Sequence, residues 1–264
     1  MSGRIRVGIG GWTYEPWEGT FYPEDLPKTR QLEYAASQLT AIEVNGTFYR
    51  NQTPSTFAKW AGEAPDDFVF ALKAPRFATN RKVLGDAAES IGKFFASGME
   101  ELGPKLGPIL WQLAPTKKFD ADDVAAYFAL FPEKVGGLRL RHALEARHES
   151  FRDPRFIDLA RKHGVAVVFA DSAKYPTVAD VTADFVYVRL EDAKMEFETG
   201  YSDAELDRWT TAALTWAKGG APEGLPYVLD AKPAKADRDV FVFMINGAKV
   251  RAPGAAKAMI GRLG

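Results

Sequence analysis

Short apolar runs alternate with longer amphipathic segments along this chain. The apolar runs are rich in Val, Ile, Leu, Phe and Tyr and are bounded by Gly, Pro or Asp, a pattern typical of β-strands. Such runs occupy 5–11, 41–48, 68–74, 108–114, 137–146, 165–171, 185–191 and 240–246. Because helical segments separate most of them, we expect parallel strands joined by crossover helices.

The segments between the strands carry helix signals. Helices are predicted at 27–39, 53–64, 85–103, 120–131, 153–164, 202–220 and 252–264. Ser202 stands three residues before Glu205, which is the spacing of a capping box. The stretch between 171 and 185 is too short for a full helix, so the sixth connection is expected to be degenerate.

Eight such units, ending in a helix, predict a single (β/α)8 TIM-like barrel over residues 1–264. An open doubly wound sheet is the alternative, but its first strand usually leads into a glycine-rich phosphate loop. The segment 8–17 lacks the third glycine of that loop at its spacing, and Pro16 disfavours a helix there. The stretch 226–230 competes for the eighth strand, but 240–246 is longer and more apolar.

Composition narrows the class of protein. The chain has 264 residues, a formal net charge of −1 and no cysteine. The near-neutral charge argues against extended nucleic-acid binding, and the absence of cysteine excludes disulfides and thiolate metal sites. We find no signal-peptide pattern and no apolar run of ~20 residues, so we expect a cytoplasmic protein without a membrane span.

Polar residues follow the predicted strands, where the site of a barrel enzyme lies. The candidates are Trp12, Glu43, Asn45, Tyr49, Lys73, Gln112, Glu145, Arg147, His148, Asp171, Arg189, Glu191 and Asn246. A period of two would place Glu43, Asn45 and Thr47 on one face. Charges in a strand interior are costly unless paired, so the set is either a structural ion network or a ligand site. Its clustering at strand ends favours the ligand site.

Each charged candidate suggests a role. Arg147 and Arg189 would clamp an anion, since guanidinium matches carboxylate and phosphate geometry. Glu145 or Glu43 would act as the general base. Lys73 would be an acid, an electrostatic stabiliser or, if desolvation lowers its pKa, a Schiff-base amine. The further ligand-binding candidates are Trp12, Asn45, Tyr49, Gln112, Asp171, Glu191 and Asn246.

No cofactor is expected. A divalent Mg²⁺ or Mn²⁺ ion is the less favoured possibility, with carboxylate ligands from Glu43, Glu145, Asp171 and Glu191. Nearby Lys and Arg side chains would compete with such an ion. The chain has three histidines, and of these His148 alone stands near the predicted mouth as a catalytic candidate, which argues against zinc.

Several segments resemble the YecE-like domain of unknown function, number seventy-two in its series. They are "GIGGWTYEPWEGTFYPEDLP" (8–27), the whole of 41–76, "LGPILWQLAP" (106–115), "LEARHESF" (144–151) and "TADFVYVRL" (182–190). The resemblance covers nearly the whole chain and implies a TIM barrel. That family has been loosely grouped with sugar isomerases, which implies a carbohydrate connection.

The chain departs from the family pattern in three places. Relatives often carry Thr-His after the third strand, where this chain has Thr79–Asn80. They often carry His-Gly after the seventh strand, where it has Glu191–Asp192. Their eighth strand usually ends in two asparagines before an acid, whereas 246–248 reads Asn-Gly-Ala here. Any chemistry that depends on those histidines would be altered in this chain.

Two classes of function fit these residues. The first is an enzyme that acts on a small polar anion, such as a sugar phosphate or sugar acid, by isomerase- or lyase-like acid–base chemistry. The second is a non-catalytic protein that binds a phosphate, a nucleotide or a nucleic-acid end, with aromatic loop residues stacking on bases. A steep loss of affinity with salt would favour the second. The sequence does not specify an oligomeric state.

Overall fold

A computed structural model describes residues 3–229 and 234–264 and confirms the predicted (β/α)8 barrel. We number its barrel strands first to eighth in chain order. They are Ile5–Gly10, Ala41–Val44, Val69–Lys73, Leu106–Gln112, His142–Glu145, a sixth strand in two parts (Ala166–Val167 and Phe169–Asp171), Phe185–Leu190 and Asp239–Met244.

The sixth strand closes the barrel. Its first part pairs with the fifth strand, where Ala166 lies opposite Ala143, and its second part pairs with the seventh, where Ala170 lies opposite Arg189. Between the two parts, the backbone amide of Val168 donates to the carbonyl oxygen of Leu144 at 3.0 Å. All pairings in this sheet are parallel, as the crossover pattern predicts.

Helices surround the strands. They are α1 (Gln31–Gln38), α2 (Gly46–Tyr49), α3 (Pro54–Glu63), α4 (Arg76–Thr79), α5 (Ala88–Phe95), α6 (Ala121–Phe128), α7 (Pro154–His163), α8 (Asp203–Ala217) and α9 (Ala252–Leu263). Residues 172–184 contain no helix, which confirms the degenerate sixth connection. The predicted capping box is present, because Ser202 and Glu205 bond reciprocally at the start of α8.

Three predicted boundaries are wrong. The second strand ends at Val44 rather than residue 48, because Asn45 adopts helical angles (φ −83°, ψ −17°) and α2 begins directly after it. Asn45 and Thr47 therefore do not continue the face of Glu43. The predicted helix 85–103 is interrupted after Phe95, since Gly98 takes a left-handed conformation (φ 91°) that ends the helical path.

The third boundary concerns the fifth strand, which begins at His142 rather than residue 137. The preceding chain instead forms a small antiparallel hairpin, Lys134–Val135 with Leu138–Arg139. Its turn contains Gly136 and Gly137, both at positive φ, a conformation that favours glycine. The competing segment 226–230 forms no strand over 226–229, and residue 230 lies outside the described residues.

Two apolar layers lie on opposite faces of the sheet. Inside the barrel, small side chains from the second, third and fifth strands pack with aromatic rings from the seventh and eighth. The inward residues include Ala41, Ala71, Ala143, Phe185, Tyr187, Phe241 and Phe243. Small and large side chains together fill the narrow interior at high density. The larger layer fills the space between the strands and the helices.

Candidate functional site

On five strands, an inward apolar residue is followed two positions later by a polar one. The pairs are Ala41 and Glu43, Ala71 and Lys73, Leu110 and Gln112, Ala143 and Glu145, and Tyr187 and Arg189. Because strand side chains alternate between faces, these polar groups all point into the barrel above its apolar filling. The structure therefore brings the predicted strand-end residues together at the carboxyl ends of the strands.

Arg189 lies at the centre of this polar layer and is only 2% exposed. Its Nε and Nη2 donate to the two carboxylate oxygens of Glu43 at 3.1 and 3.2 Å. Its Nη1 donates to Glu145, to Glu191 Oε1 at 3.0 Å and to Gln112 Oε1 at 3.2 Å. These contacts engage every guanidinium nitrogen, so Arg189 acts mainly as a bridge between carboxylates.

The two glutamates predicted as general bases are also held in ion pairs. Glu43 accepts a second hydrogen bond from the Tyr187 hydroxyl at 2.8 Å, and Glu145 accepts one from Arg147 Nε. Burial alone would raise the pKa of Glu145, but Arg189 and Arg147 outweigh it and lower that pKa below its ordinary value. Glu145 is therefore an ionised partner rather than a poised base.

Glu191 extends the network towards the eighth strand. Burial, joined by the negative charge of Glu145, raises the pKa of Glu191, although Arg189, Arg147 and a hydrogen bond from Asn246 oppose the rise. Asn246 has φ 58° and is the one non-glycine residue at positive φ in the described part of the chain. Asparagine tolerates this conformation better than most residues.

Lys73 differs from Arg189 and the three glutamates bound to it in that its side chain has no described polar partner. Its side chain ends the third strand, is 8% exposed, and places Nζ 4.5 Å from the centroid of the Phe48 ring. Within the described residues its ammonium makes no hydrogen bond or ion pair. Burial, with a contribution from Arg189, lowers the pKa of Lys73 to about 8, and the nearby Glu43 and Glu145 only partly oppose this.

A cavity of about 590 Å³ opens above this layer. Its cationic lining residues are Arg50, Lys73, Arg147, Arg189 and Lys249. Its aromatic and amide lining residues are Trp12, Trp17, Tyr49, Trp60, Asn45, Gln52, Gln112 and Asn246. No described acidic residue lines it, because the glutamates lie behind the guanidinium groups. The cavity is therefore a cationic pocket with aromatic walls.

Most of the predicted ligand-binding residues line this cavity. They are Trp12, Asn45, Tyr49, Gln112, Arg147, Arg189 and Asn246, joined by the catalytic candidate Lys73. Trp12 packs edge-to-face on Trp60, with ring centroids 5.2 Å apart. Tyr49 is 65% exposed and leaves much of its ring available to a ligand.

Besides the three glutamates bound to Arg189, two further candidates lie outside the cavity lining. His148 caps a short 3₁₀ turn, because its Nδ1 accepts from the Ser150 amide at 3.1 Å and lies 2.9 Å from the Ser150 hydroxyl. Asp171 ends the sixth strand, where burial and the neighbouring Asp192 raise its pKa. Neither side chain contacts the Arg189 network within the described residues.

Sequence reasoning missed several lining residues. Arg50 and Gln52 follow the second strand, and Lys249 follows the eighth, each a few positions beyond the polar residues we selected. Trp60 belongs to α3 and reaches the cavity from outside the strand ends. A search that extended through each loop after a strand would have found Arg50, Gln52 and Lys249, but not Trp60.

The carboxylates predicted as possible magnesium ligands do not form one cluster. Arg189 lies between Glu43, Glu145 and Glu191, where its guanidinium supplies the compensating positive charge. Asp171 is not part of this group. In residues 3–229 and 234–264 no group of three or more His, Asp or Glu side chains is arranged to hold a metal ion. A metal-dependent activity stays a prediction.

Comparison with known proteins places the chain in a family. The family model described as "Protein of unknown function DUF72" matches residues 6–264. This chain belongs to the DUF72 family. The YecE-like resemblance read from the sequence is to this same family, and the comparison confirms it.

Other DUF72 proteins share its fold. A crystal structure from Thermotoga maritima is 21% identical, covers 98% of both chains and has a TM-score of 0.71. One from Enterococcus faecalis is 18% identical, covers 98% of both chains and has a TM-score of 0.69. A relative was also found by sequence alone. It is the UPF0759 protein YunF of Bacillus subtilis, which is 26% identical over 159 residues that span 58% of this chain and 54% of YunF.

Likeness in fold extends beyond DUF72. The structure named SacUVDE is 10% identical over 98% of this chain and 99% of that one, with a TM-score of 0.56. A xylose isomerase-like TIM barrel fused to a 4-hydroxyphenylpyruvate dioxygenase is 15% identical, with a TM-score of 0.52 over 96% of this chain and 41% of that one. At these identities the likeness shows the barrel fold alone. Among the described residues, we find no helix that combines the length and the apolar character of a membrane span.

Proposed function

We propose that this DUF72 protein is an enzyme that binds a small polar anion, such as a sugar phosphate or sugar acid, in the barrel cavity. The observation that carries the proposal is the lining of that cavity, which contains five cations (Arg50, Lys73, Arg147, Arg189 and Lys249) and no described carboxylate. A recessed, cationic pocket concentrates anions from solution. A volume of about 590 Å³ suits a metabolite-sized ligand.

The cations differ in how far they are free to bind a ligand. Arg147 and Arg189 are tied to Glu145 and Glu43, so much of their charge is already compensated. Lys249 instead places its Nζ over the Tyr14 ring, 4.4 Å from the centroid, and Arg50 is exposed. Neither Lys249 nor Arg50 has a described ion-pair partner. We therefore assign the first contacts with the anion to Arg50, Lys73 and Lys249, with Arg147 and Arg189 behind them.

Lys73 is the group best placed to move protons in the cavity. A general acid or base works best with a pKa near the operating pH, and burial brings the pKa of Lys73 to about 8. Glu43 and Glu145 do not line the cavity and are held as ion-pair partners. Isomerase- or lyase-like chemistry, in which a proton moves next to a carbonyl group, fits this inventory. Its substrate would be a cytoplasmic metabolite.

A ligand screen by thermal denaturation tests the binding half of the proposal. Phosphate, sugar phosphates and sugar acids should raise the Tm at constant ionic strength, whereas the matching neutral sugars should not. Lys249→Met should weaken anion binding about tenfold, because it removes one charged contact. Lys118→Met, on an exposed lysine outside the cavity lining, is the matched control and should bind as the wild type does. Equal shifts with neutral sugars, or none with anions, would reject an anion site.

Hydrogen exchange tests the catalytic half. An enzyme of this class should exchange a carbon-bound proton of a bound sugar phosphate with deuterium from D2O, which NMR detects. Lys73→Met should lose the exchange even when enough ligand is added to restore the Tm shift. Binding without any exchange for any bound anion would instead favour a non-catalytic protein.

The alternative is a non-catalytic protein that binds a phosphate, a nucleotide or a nucleic-acid end. The observation in its favour is the exposed ring of Tyr49 beside the cations of the cavity, a combination that permits base stacking. Oligonucleotide binding that falls steeply with salt, together with weak binding of sugar phosphates, would support this alternative.

A further inference from the structure

We infer that Lys73 acts as a nucleophilic amine and forms an imine with the carbonyl group of an anionic aldehyde or ketone bound in the cavity. The inference rests on the proposed function and narrows its ligands to anionic carbonyl compounds. It also assigns Lys73 a covalent role, which acid–base chemistry alone does not require.

The first support is the unpaired state of Lys73. A buried lysine is normally paired with an acid, and Glu43 and Glu145 are close enough to influence its pKa. Yet both carboxylates form ion pairs with Arg189, Glu145 pairs with Arg147 as well, and Glu43 accepts a further hydrogen bond from the Tyr187 hydroxyl. The two arginines therefore occupy the acids that would otherwise hold Lys73 as a salt-bridged ammonium, and its Nζ stays available to the cavity.

The second support is the protonation state of the amine, since only the uncharged form has a lone pair for attack. With a pKa of about 8, about one Lys73 side chain in ten is uncharged at neutral pH, against fewer than about one in a thousand for an ordinary lysine. The positive charge of Arg189 contributes to this lowering after burial.

Lys249, the other lysine of the cavity, is less suited to this role. Burial lowers the pKa of Lys249 as well. Its Nζ, however, lies 4.4 Å from the Tyr14 ring centroid and 5.5 Å from that of Trp17, so two rings stabilise its charged form, whereas Lys73 contacts the single ring of Phe48. Lys249 also begins a short 3₁₀ turn, Lys249–Arg251, in the loop after the eighth strand, whereas Lys73 is the last residue of a barrel strand. A strand end fixes a reacting atom more closely than a loop does. Lys249 is better suited to hold the anionic end of the ligand.

The step balances without an oxidant or a reductant. The lone pair of Lys73 Nζ attacks the carbonyl carbon, a C–N bond forms, and the carbonyl π electrons move to oxygen. That oxygen takes up a proton while the nitrogen loses one, which gives a carbinolamine. Protonation of its hydroxyl group and loss of water then give the protonated imine. Hydrolysis reverses the sequence and restores the free amine.

Pyridoxal 5′-phosphate is a suitable probe, because it carries both an aldehyde and a phosphate. The full-length wild-type protein is incubated with a limiting amount of the probe, reduced with borohydride, digested and mapped by mass spectrometry. The expected result is a reduced adduct predominantly on Lys73, which inorganic phosphate suppresses and which pyridoxal without its phosphate forms poorly. Lys73→Arg, which keeps the charge, should lose this adduct, and Lys118→Arg should keep it.

The outcomes separate this inference from the proposed function. In one outcome, calorimetry shows that the probe binds and that phosphate competes with it, but Lys73 is unmodified after reduction. This result would overturn the imine and leave the anion site standing. An adduct on Lys249 or on exposed lysines, with Lys73 unmodified, would overturn it as well. If the probe shows no saturable binding and forms no adduct on Lys73, both the imine and the anion site are overturned. If Lys73→Arg does not fold, the peptide map of the wild-type protein still decides.

Discussion

The guanidinium of Arg189 and the carboxylate of Glu43 form a two-point ion pair inside the barrel, with N–O distances of 3.1 and 3.2 Å. Glu43 stands on the second strand and Arg189 on the seventh, and these strands are not neighbours in the sheet. The pair therefore spans the interior, and Glu145 on the fifth strand joins it. These three residues, Glu43, Glu145 and Arg189, are called the brace below. The brace covers the apolar filling of the barrel and forms the floor of the cationic cavity.

Removal of one charge from the brace should destabilise the fold. Glu43→Gln keeps the shape of the side chain but leaves the buried guanidinium of Arg189 with less compensating charge. We expect the free energy of unfolding to fall by about 3 kcal/mol, the lower end for a broken buried ion pair. Chemical denaturation monitored by circular dichroism measures this change.

The matched control is Glu89→Gln, which breaks an exposed pair with Lys93 on α5. Exposed pairs of this kind contribute little to stability, so this variant should denature as the wild type does. If Glu43→Gln were as mild as Glu89→Gln, the brace would contribute little to the barrel.

His142 should make the protein sensitive to acid. Its Nδ1 accepts from Trp111 Nε1 at 3.1 Å and its Nε2 lies 2.8 Å from the Pro132 carbonyl oxygen, so the neutral ring satisfies both contacts. Burial lowers the pKa of His142 from 6.5 to about 4. Between these values the unfolded chain binds a proton that the folded chain does not, so stability falls as the pH falls from 6.5 to 4.

Removal of the histidine should remove this pH dependence. His142→Gln keeps an acceptor and a donor at the same site, and its unfolding free energy should vary less between pH 6.5 and 4 than that of the wild type. Between pH 6.5 and 4, the wild type should lose on the order of 3 kcal/mol more unfolding free energy than His142→Gln does. Parallel curves for the two proteins would show that His142 is not held neutral by burial.

Lys73 should make the stability of the protein depend on pH in the alkaline range. Burial lowers its pKa from 10.5 to about 8, so between these values the unfolded chain binds a proton that the folded chain lacks. The wild type should therefore gain stability relative to Lys73→Met as the pH rises from 8 to 10.5, by on the order of 3 kcal/mol. Urea denaturation of both proteins at each pH measures the difference. A constant difference would mean that Lys73 titrates as an ordinary lysine.

The stability of variants at position 246 should depend on backbone conformation more than on the lost side-chain contact. The φ of 58° at Asn246 is unfavourable for residues with a β-carbon and costs glycine nothing. Asn246→Ala should therefore be less stable than Asn246→Gly by about 1–2 kcal/mol, although both remove the contact with Glu191. Thermal denaturation of the two variants gives the comparison, and equal stability would indicate that the loop relaxes out of the left-handed conformation.

The sequence was sufficient to predict the barrel and much of the floor of the site. Alternation along the strands correctly indicates that Lys73, Gln112, Glu145 and Arg189 point inward, because a buried strand keeps its period of two up to its last residue. The alternation fails just beyond the strand, as at Asn45, because the backbone there is helical and side chains no longer point to opposite faces in turn.

Pairing within the site could not be predicted from residue types alone. Sequence position does not reveal that Arg189 would take up Glu43, Glu145 and Glu191 and leave Lys73 unpaired, because that choice depends on distances across the barrel. Lys249 could have been selected as a residue of the loop after the eighth strand, but its position over the Tyr14 ring could not be predicted, since it depends on how two loops pack together.

A crystal soaked in tungstate, a heavy analogue of phosphate, would show whether the barrel cavity binds an anion. We expect a strong anomalous peak inside the cavity, within contact distance of Lys73 and Lys249 and weaker in crystals of Lys249→Met. Peaks confined to exposed lysines and arginines outside the cavity would contradict the anion site and, with it, the proposed function.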